Sequence, residues 1–343
     1  MIQPAPPRLH PSAFFSPRTA PGHPLQPSVR QRVLACLDNS EGSRSVLGHA
    51  LAVATSLDLP VTLARVLETS FRFDVPADPV EWQQHRHRGR DQLERLARGE
   101  AGATTDIESV LLAGPPAEEL DRWARDHDVS LVVLGTHDFE QGEHEGLGTT
   151  AQRMLARAEA SLLLVPPAAV DASGYRRLLV PLDGSSRAES VLPVAIRIAR
   201  AHHAELLLAH VVPQLEIVRF GAVQRSPSEL RERLDERNDA EARSYLEDLR
   251  RRMLGEAFPV RTLVARDGDA RAQLRRLMID QAVDLVVLSS HGSTGLADMP
   301  CGSVTEYLAM HAPAPMLIVR PNFAIAFEPR AEARPERVVD AAS

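Results

Sequence analysis

The sequence contains no lysine, so all 39 of its basic residues are arginine. That absence rules out a phosphate-binding loop of the GxxxxGK[ST] type, a kinase-type strand lysine and any Schiff-base mechanism. If phosphate is bound, backbone amides must do most of the binding. Aromatic residues make up only 4% of the chain, and cysteine occurs twice, at Cys36 and Cys301. The two cysteines fall at unrelated positions of the two halves described below and read as small buried hydrophobes, not as a disulfide. No apolar run approaches the roughly 18–20 residues that span a bilayer, so no membrane contact is expected. The first residues, MIQPAPPRLHPSAFFSPRTAPGHPLQPSVR, lack the apolar core of a signal peptide, and a cytoplasmic protein is expected. A net charge of −7 gives no electrostatic footprint for nucleic acid.

What the chain does have is repetition. In 343 residues, enough for about two domains, one pattern occurs twice. Arg32-Val33-Leu34-Ala35-Cys36-Leu37, ending at Asp38-Asn39-Ser40, returns as Arg177 to Ser185, with Asp183 lying 145 residues after Asp38. Val61 to Leu67 returns at the same spacing as Leu206 to Val212; Leu131 to Leu134 returns as Leu285 to Leu288 and Leu162 to Val165 as Met316 to Val319, at a longer spacing. By His137 and His291 the spacing has grown to 154, so the second half carries about nine extra residues. These fall in the middle connection, where Ser226-Pro227-Ser228-Glu229 has the form of a capping box opening a long charged helix.

Short apolar runs without alternation read as strands buried on both faces, and helical patterns lie between them, as in SRSVLGHALAVATSL and AEELDRWARDHD. The expected fold is α/β: two tandem five-stranded parallel-sheet domains of the Rossmann-like kind. Expected boundaries are a disordered proline-rich arm over 1–29, domains over 30–167 and 175–321, and a charged, alanine-rich tail over 322–343. Prolines 76 and 79 suggest a loop before a charged helix around Arg90 to Arg98.

Polar and glycine signals cluster after strand one (Asp38, Asp183) and after strand four (His137, His291) of each half. If those strands are neighbours, the strand order is 3-2-1-4-5 and both clusters converge at the topological switch point, where open α/β sheets bind ligands.

After strand four the second half reads Ser289-Ser290-His291-Gly292, nine residues from Ser293 to Cys301, then Gly302-Ser303. The first half reads Gly135-Thr136-His137-Asp138, nine residues from Phe139 to Leu147, then Gly148-Thr149. With the aspartate after strand one, this spacing resembles the universal stress protein family, whose nucleotide-binding members carry G-x-x-G, nine residues, then G-[ST]. Each half has lost one of the first two glycines. The resemblance covers about 30–167 and 175–321. It implies the order 3-2-1-4-5, an adenine nucleotide alpha hydrolase-like fold, and an intramolecular pseudo-dimer joined through the fifth strands, Leu162–Val165 and Met316–Val319. It further implies a stress-response protein that binds ATP, with or without Mg2+, acts through an unidentified protein partner and is open to further dimerisation.

Residue by residue, the resemblance places Asp183 at the ribose hydroxyls and backbone groups of Val211 at the adenine, with Pro181, Leu182 and Leu288 also in the nucleotide site. Ser289, His291, Gly292, Gly302, Ser303 and Val304 would surround ribose and phosphates. The first-half counterparts are Asp38, Val66, Gly135, His137, Asp138, Gly148, Thr149 and Thr150. Asp138 puts a carboxylate into the phosphate cradle, and Glu140, Glu143 and Glu145 follow it. One carboxylate about 6 Å from a phosphate charge costs roughly 2–3 kcal/mol at an effective dielectric near 20. ATP is therefore expected chiefly in the second half.

Blander readings run alongside. Asp38 and Asp183 could simply cap the helices that follow them. His137 and His291 could serve only the loop backbone, since no nucleophile or carboxylate dyad accompanies them. No catalytic residue and no metal site is expected, the acidic loop being too irregular in spacing. Slow ATP hydrolysis or self-phosphorylation stays open. Two rivals also stay open: a nucleotide-independent interaction or scaffold protein with both sites degenerate, and an enzyme of a related nucleotide-binding class.

Overall fold

Strand one of each half is short and rich in aliphatic residues, and it lies between two other strands in a sheet covered on both sides. The computed structural model describes residues 31–40, 42–68, 79–100, 107–136, 146–167, 169, 174–212, 227–266, 268–292 and 301–327; the proposed arm lies outside them.

The first half runs β1 (Arg32–Cys36), α1 (Ser43–Leu57), β2 (Val61–Leu67), α2 (Pro79–Glu100), β3 (Ile107–Ala113), α3 (Pro116–Asp126), β4 (Val129–Gly135), α4 (Thr149–Arg157) and β5 (Ser161–Val165). The second runs β6 (Arg177–Pro181), α5 (Ser186–Glu189), α6 (Leu192–His202), β7 (Glu205–Val211), α7 (Pro227–Arg252), β8 (Val260–Ala265), α8 (Ala270–Asp280), β9 (Leu285–Ser289), α9 (Ser303–His311) and β10 (Met316–Val319), followed by α10 (Pro321–Ala326).

Each half keeps the order 3-2-1-4-5, but the halves do not form separate sheets. They join in one ten-stranded sheet, β3-β2-β1-β4-β5-β10-β9-β6-β7-β8. Every pairing is parallel except the central one, where β10 runs antiparallel to β5 with Leu317 opposite Leu163. Period-two geometry divides the side chains between two layers. Leu163, Val165, Leu317 and Val319 face one layer, with α1 and α6; Leu162, Leu164, Met316 and Ile318 face the other, with α3, α4, α8 and α9. Both layers run unbroken across the seam.

Arg320 adds a polar tie. Its backbone N–H donates to Ser161 Oγ at 2.9 Å, and its guanidinium donates to Leu155 O in the last turn of α4 at 3.0 Å. No helix among the described residues is long and apolar enough to cross a membrane.

Three expectations need correction. The loop expected around Pro79 is already helix, since α2 starts at that residue; proline is tolerated in a first turn, where its missing N–H has no partner to lose. The first residues of the tail expected from 322 are packed instead: Phe323 and Phe327, four apart in sequence, are buried with Ala324 against the α1/α6 layer, with Arg197 over the Phe327 ring. Neither aspartate after strand one is a helix cap, as described below.

Within the layer that holds them both, α1 packs on α6 across the halves. Tyr175, just before β6, shares a hydrogen bond with His49 Nδ1 at 2.9 Å and meets His202 edge-on, while His202 Nε2 shares one with Ser56 Oγ at 3.1 Å. Burial pushes the Tyr175 hydroxyl up, with Asp284 adding to it, so Tyr175 stays neutral. Burial also lowers the His202 pKa below 6.5, against weaker opposing effects of Ala52 and Asp284. A histidine depressed in the folded state contributes its full stability above the unfolded pKa and loses it as pH falls through that value. Asp284 acts with the opposite sign at more acidic pH, because burial raises its carboxyl even against the N–H groups of Arg176 and Arg177. The melting temperature is therefore expected to fall between about pH 7.5 and pH 6, and His202→Gln to flatten that slope. Identical slopes in the two proteins would remove His202 as the cause.

Candidate functional site

Strand β1 lies between β2 and β4, and β6 lies between β7 and β9. The chain leaving β1 turns one way and that leaving β4 the other, which opens a crevice at their carboxyl ends. Both halves have one, of ≈ 140 Å³ in the first and ≈ 150 Å³ in the second. Size does not separate them, so any difference in ligand must come from what lines them.

The second crevice gathers Pro181, Leu182, Asp183, Val211, Leu288, Ser289, Gly292, Gly302, Ser303 and Val304. Of the second-half residues read from sequence, only His291 is outside that lining; its ring shares a hydrogen bond with Ser290 Oγ at 3.1 Å. Asp183 Oδ1 accepts the Ser185 N–H at 3.0 Å and its hydroxyl at 2.6 Å. Ser185 Oγ in turn accepts the Ala188 N–H at 3.1 Å, so the serine caps α5 and the aspartate holds the serine. In the first half Asp38 Oδ1 accepts from Ser40 N, Ser40 Oγ and Ser43 Oγ, while the residue at the start of α1 is Gly42, without a side-chain cap. Two hydroxyls and an N–H preset the Asp38 carboxylate, and one hydroxyl and an N–H that of Asp183, each within its own turn.

The two clusters that are distant in sequence do meet. A Cβ added at Gly292 would lie 2.5 Å from Asp183 Oδ2. The glycine is required by this close approach, not by left-handed backbone, since its φ lies outside that region. The Gly302 N–H donates to Ser290 O at 2.8 Å, Thr305 Oγ1 to Ser289 O at 3.1 Å, and Ser289 Oγ to His291 O at 2.5 Å. The first two bonds hold the end of β9 against the start of α9, and the third closes the turn after β9. Gly302 occupies the N-cap of α9 and supplies no side chain to it, so the N–H groups of that first turn face the crevice with the positive end of the helix dipole.

The first crevice repeats this frame with other chemistry. Asp38, Val66, Gly135, Gly148 and Thr150 line it, and the Gly148 N–H donates to Thr136 O at 2.5 Å. Thr149 opens α4 without lining the crevice, and His137 and Asp138 lie outside the described residues. Partial burial works to raise the Asp38 carboxyl, but the hydrogen bonds from Ser40 and Ser43 outweigh it and hold it below its ordinary value. Burial pushes the Cys36 thiol up, which leaves it unreactive.

Sequence reading missed several lining residues. Ala270 and Leu274 of α8 wall the second crevice, and Pro116 and Leu120 of α3 wall the first. Each helix starts at the carboxyl end of the third strand, so its first turns reach the same end of the sheet; the period alone reads only as packing. Glu68 and Ser45 also line the first crevice and went unnoticed.

The model of the family described as the universal stress protein family matches this chain twice, over residues 30–166 and 174–320. A universal stress protein of Mycobacterium tuberculosis is 23% identical over 304 residues, covering 84% of this chain and 96% of its own. One of Methanocaldococcus jannaschii is 25% identical over 155 residues, 43% of this chain and 95% of its own. Among solved structures, a universal stress protein from Archaeoglobus fulgidus superposes with a TM-score of 0.60 at 17% identity, covering 85% of this chain and 96% of that one. At that identity the likeness speaks for the fold alone.

Proposed function

The chain belongs to the universal stress protein family, and from that premise we propose that it binds adenine nucleotide, ATP with or without Mg2+, chiefly in the second crevice. In this reading it is a cytoplasmic stress-response protein that passes the state of that crevice to a protein partner. The observation that carries the reading is the convergence of Gly292 on Asp183 beside the uncapped start of α9. Asp183 is positioned to accept from ribose hydroxyls, and Leu274, Leu288 and Val211 offer apolar wall to a purine. The backbone N–H groups of Ser303 and Val304 at the helix start are the phosphate donors on offer, since no cationic side chain lines this crevice among the described residues. The first half has Asp138 where the second has Gly292, so its motif carries a carboxylate that the second lacks.

The test is calorimetric titration of the whole chain with Mg-ATP. Wild type is expected to bind about one equivalent. In Gly292→Ala the new methyl must displace the Asp183 carboxylate, and affinity is expected to drop about tenfold with an unchanged far-ultraviolet spectrum. Absence of heat at millimolar Mg-ATP, with nucleotide-free protein, would sink the reading. The interaction protein would then replace it, since the substitutions Ser289 and Asp138 in the two glycine motifs would mark both crevices as relics.

A further inference from the structure

The turn that carries Asp183 is held from a side that faces away from the crevice. Along β7, Ala209 and Val211 line the crevice, and His210 between them points to the opposite layer, where Leu246 and Leu249 of α7 are buried. There its Nδ1–H donates to Leu182 O at 2.8 Å, since a carbonyl can only accept. The Leu182 N–H is already bound to Ala209 O at 2.8 Å. Both backbone polar groups of the residue before Asp183 are thus tied to β7, one through the ladder and one through a side chain.

Tyr245, on α7, extends the hold. Its ring meets that of His210 edge-on, with centroids 6.1 Å apart. Its hydroxyl donates to Glu189 Oε1 of α5 at 3.0 Å. Burial pushes that hydroxyl up, with Glu189 and then Asp183 adding to it and the Gly184 backbone N–H working against them, so the phenol stays a neutral donor. Two of these neighbours, Asp183 and Gly184, belong to the turn itself, and Gly184 has a φ of +82°, the left-handed region that favours glycine.

The first half is built otherwise. At the place of His210 it has Arg65, whose guanidinium donates to Gln92 Oε1 at 2.8 Å. Gln92 precedes the buried Leu93 as Tyr245 precedes the buried Leu246. Asn39 stands in place of Gly184 without a positive φ. Ser43, whose hydroxyl helps hold Asp38, has Ala188 as its counterpart. The second turn has therefore lost a local hydroxyl and is braced from β7 and α7.

We propose that His210 and Tyr245 are positioning residues of the second crevice, setting the turn so that Asp183 meets the hydroxyls of a bound ribose. This rests on the reading of that crevice as a nucleotide site. Neither side chain lines the crevice, so both act through Asp183.

The test compares Mg-ATP with Mg-2′-deoxy-ATP, titrated calorimetrically into the full chain, with a melting curve for every variant. Wild type is expected to favour ATP about tenfold, the worth of one charge-assisted hydrogen bond. His210→Leu should weaken ATP about tenfold and leave the deoxynucleotide nearly unchanged, so that the preference disappears. His210→Asn carries an N–H the same number of bonds from the backbone as Nδ1 and should restore most of it. Tyr245→Phe should cost about threefold, again for ATP alone, and carries the comparison if His210→Leu melts below the working temperature. A purely structural role would weaken both nucleotides alike, and that result overturns the proposal. So does a preference that survives His210→Leu, or one that His210→Asn fails to restore. Wild type that binds both nucleotides equally overturns it too, while leaving the nucleotide reading in place. Wild type that binds neither removes that reading, and the proposal with it.

Discussion

Gly302→Asp is expected to keep the fold and lose about a hundredfold in affinity for Mg-ATP. The two halves of that statement have separate physical grounds. The atoms nearest to a Cβ at position 302 among the described residues are Gly292 N, His291 Cα and Ser290 O, each at 3.7 Å, which is ordinary contact. The backbone there, φ −73° and ψ 155°, is open to any residue. Aspartate is moreover a favoured N-cap, ahead of glycine by a few tenths of a kcal/mol, so the melting temperature should hold or rise slightly. The same carboxylate would occupy the first-turn N–H groups of α9 and set a negative charge where the phosphates must lie. At about 6 Å and an effective dielectric near 20 that repulsion is roughly 2–3 kcal/mol, about a hundredfold. Calorimetry for affinity and thermal melting for the fold read the two effects separately. Unchanged affinity would mean that the phosphates do not sit at the start of α9.

The second large effect concerns the seam. Leu317 is fully buried, opposite Leu163 in the one antiparallel pair, and belongs to a layer that also contains Val33, Ala50, Ile198 and Leu206. Leu317→Ala is expected to cost about 3 kcal/mol, since the strands on both sides are pinned and the site cannot collapse. More telling is where that loss should be seen. Both tryptophans, Trp82 and Trp123, lie in the first half, whereas Leu317 lies in the second. If the sheet unfolds as one cooperative unit, the substitution shifts the tryptophan fluorescence transition and the far-ultraviolet transition together. A fluorescence midpoint that stays put while the circular dichroism curve splits in two would show that the halves melt independently.

Much of this architecture is legible in the sequence because the chain writes it twice. The runs around Leu131 and Leu285 are unmistakable as buried strands, and the recurrence of Asp38 as Asp183 fixes which turns are equivalent. The switch-point rule then brings Asp183 to Gly292 without any structure. Periodicity cannot say which turn of a helix overhangs a crevice, so Leu120 and Leu274 read only as packing. Nor can it tell an aspartate that caps a helix from one that holds the capping serine, because both place an acid just before the helix. Phe323 and Phe327 were hidden by the charged residues that follow them and by the end of the repeat.

The strand pair Leu162–Ile318 at the centre of the sheet has one more consequence. Two free chains meeting along such an edge would associate by a second-order process, and dilution would pull them apart. A covalent link makes the same contact first-order, so the assembled form is independent of protein concentration. It also frees the halves from symmetry. In a dimer of identical chains every substitution appears twice, and a change that spoils one crevice spoils its mate. Here Arg65 and His210, or Asp138 and Gly292, can differ within one molecule. Every copy of the protein then carries the two kinds of crevice in a fixed one-to-one ratio, whatever the level of expression.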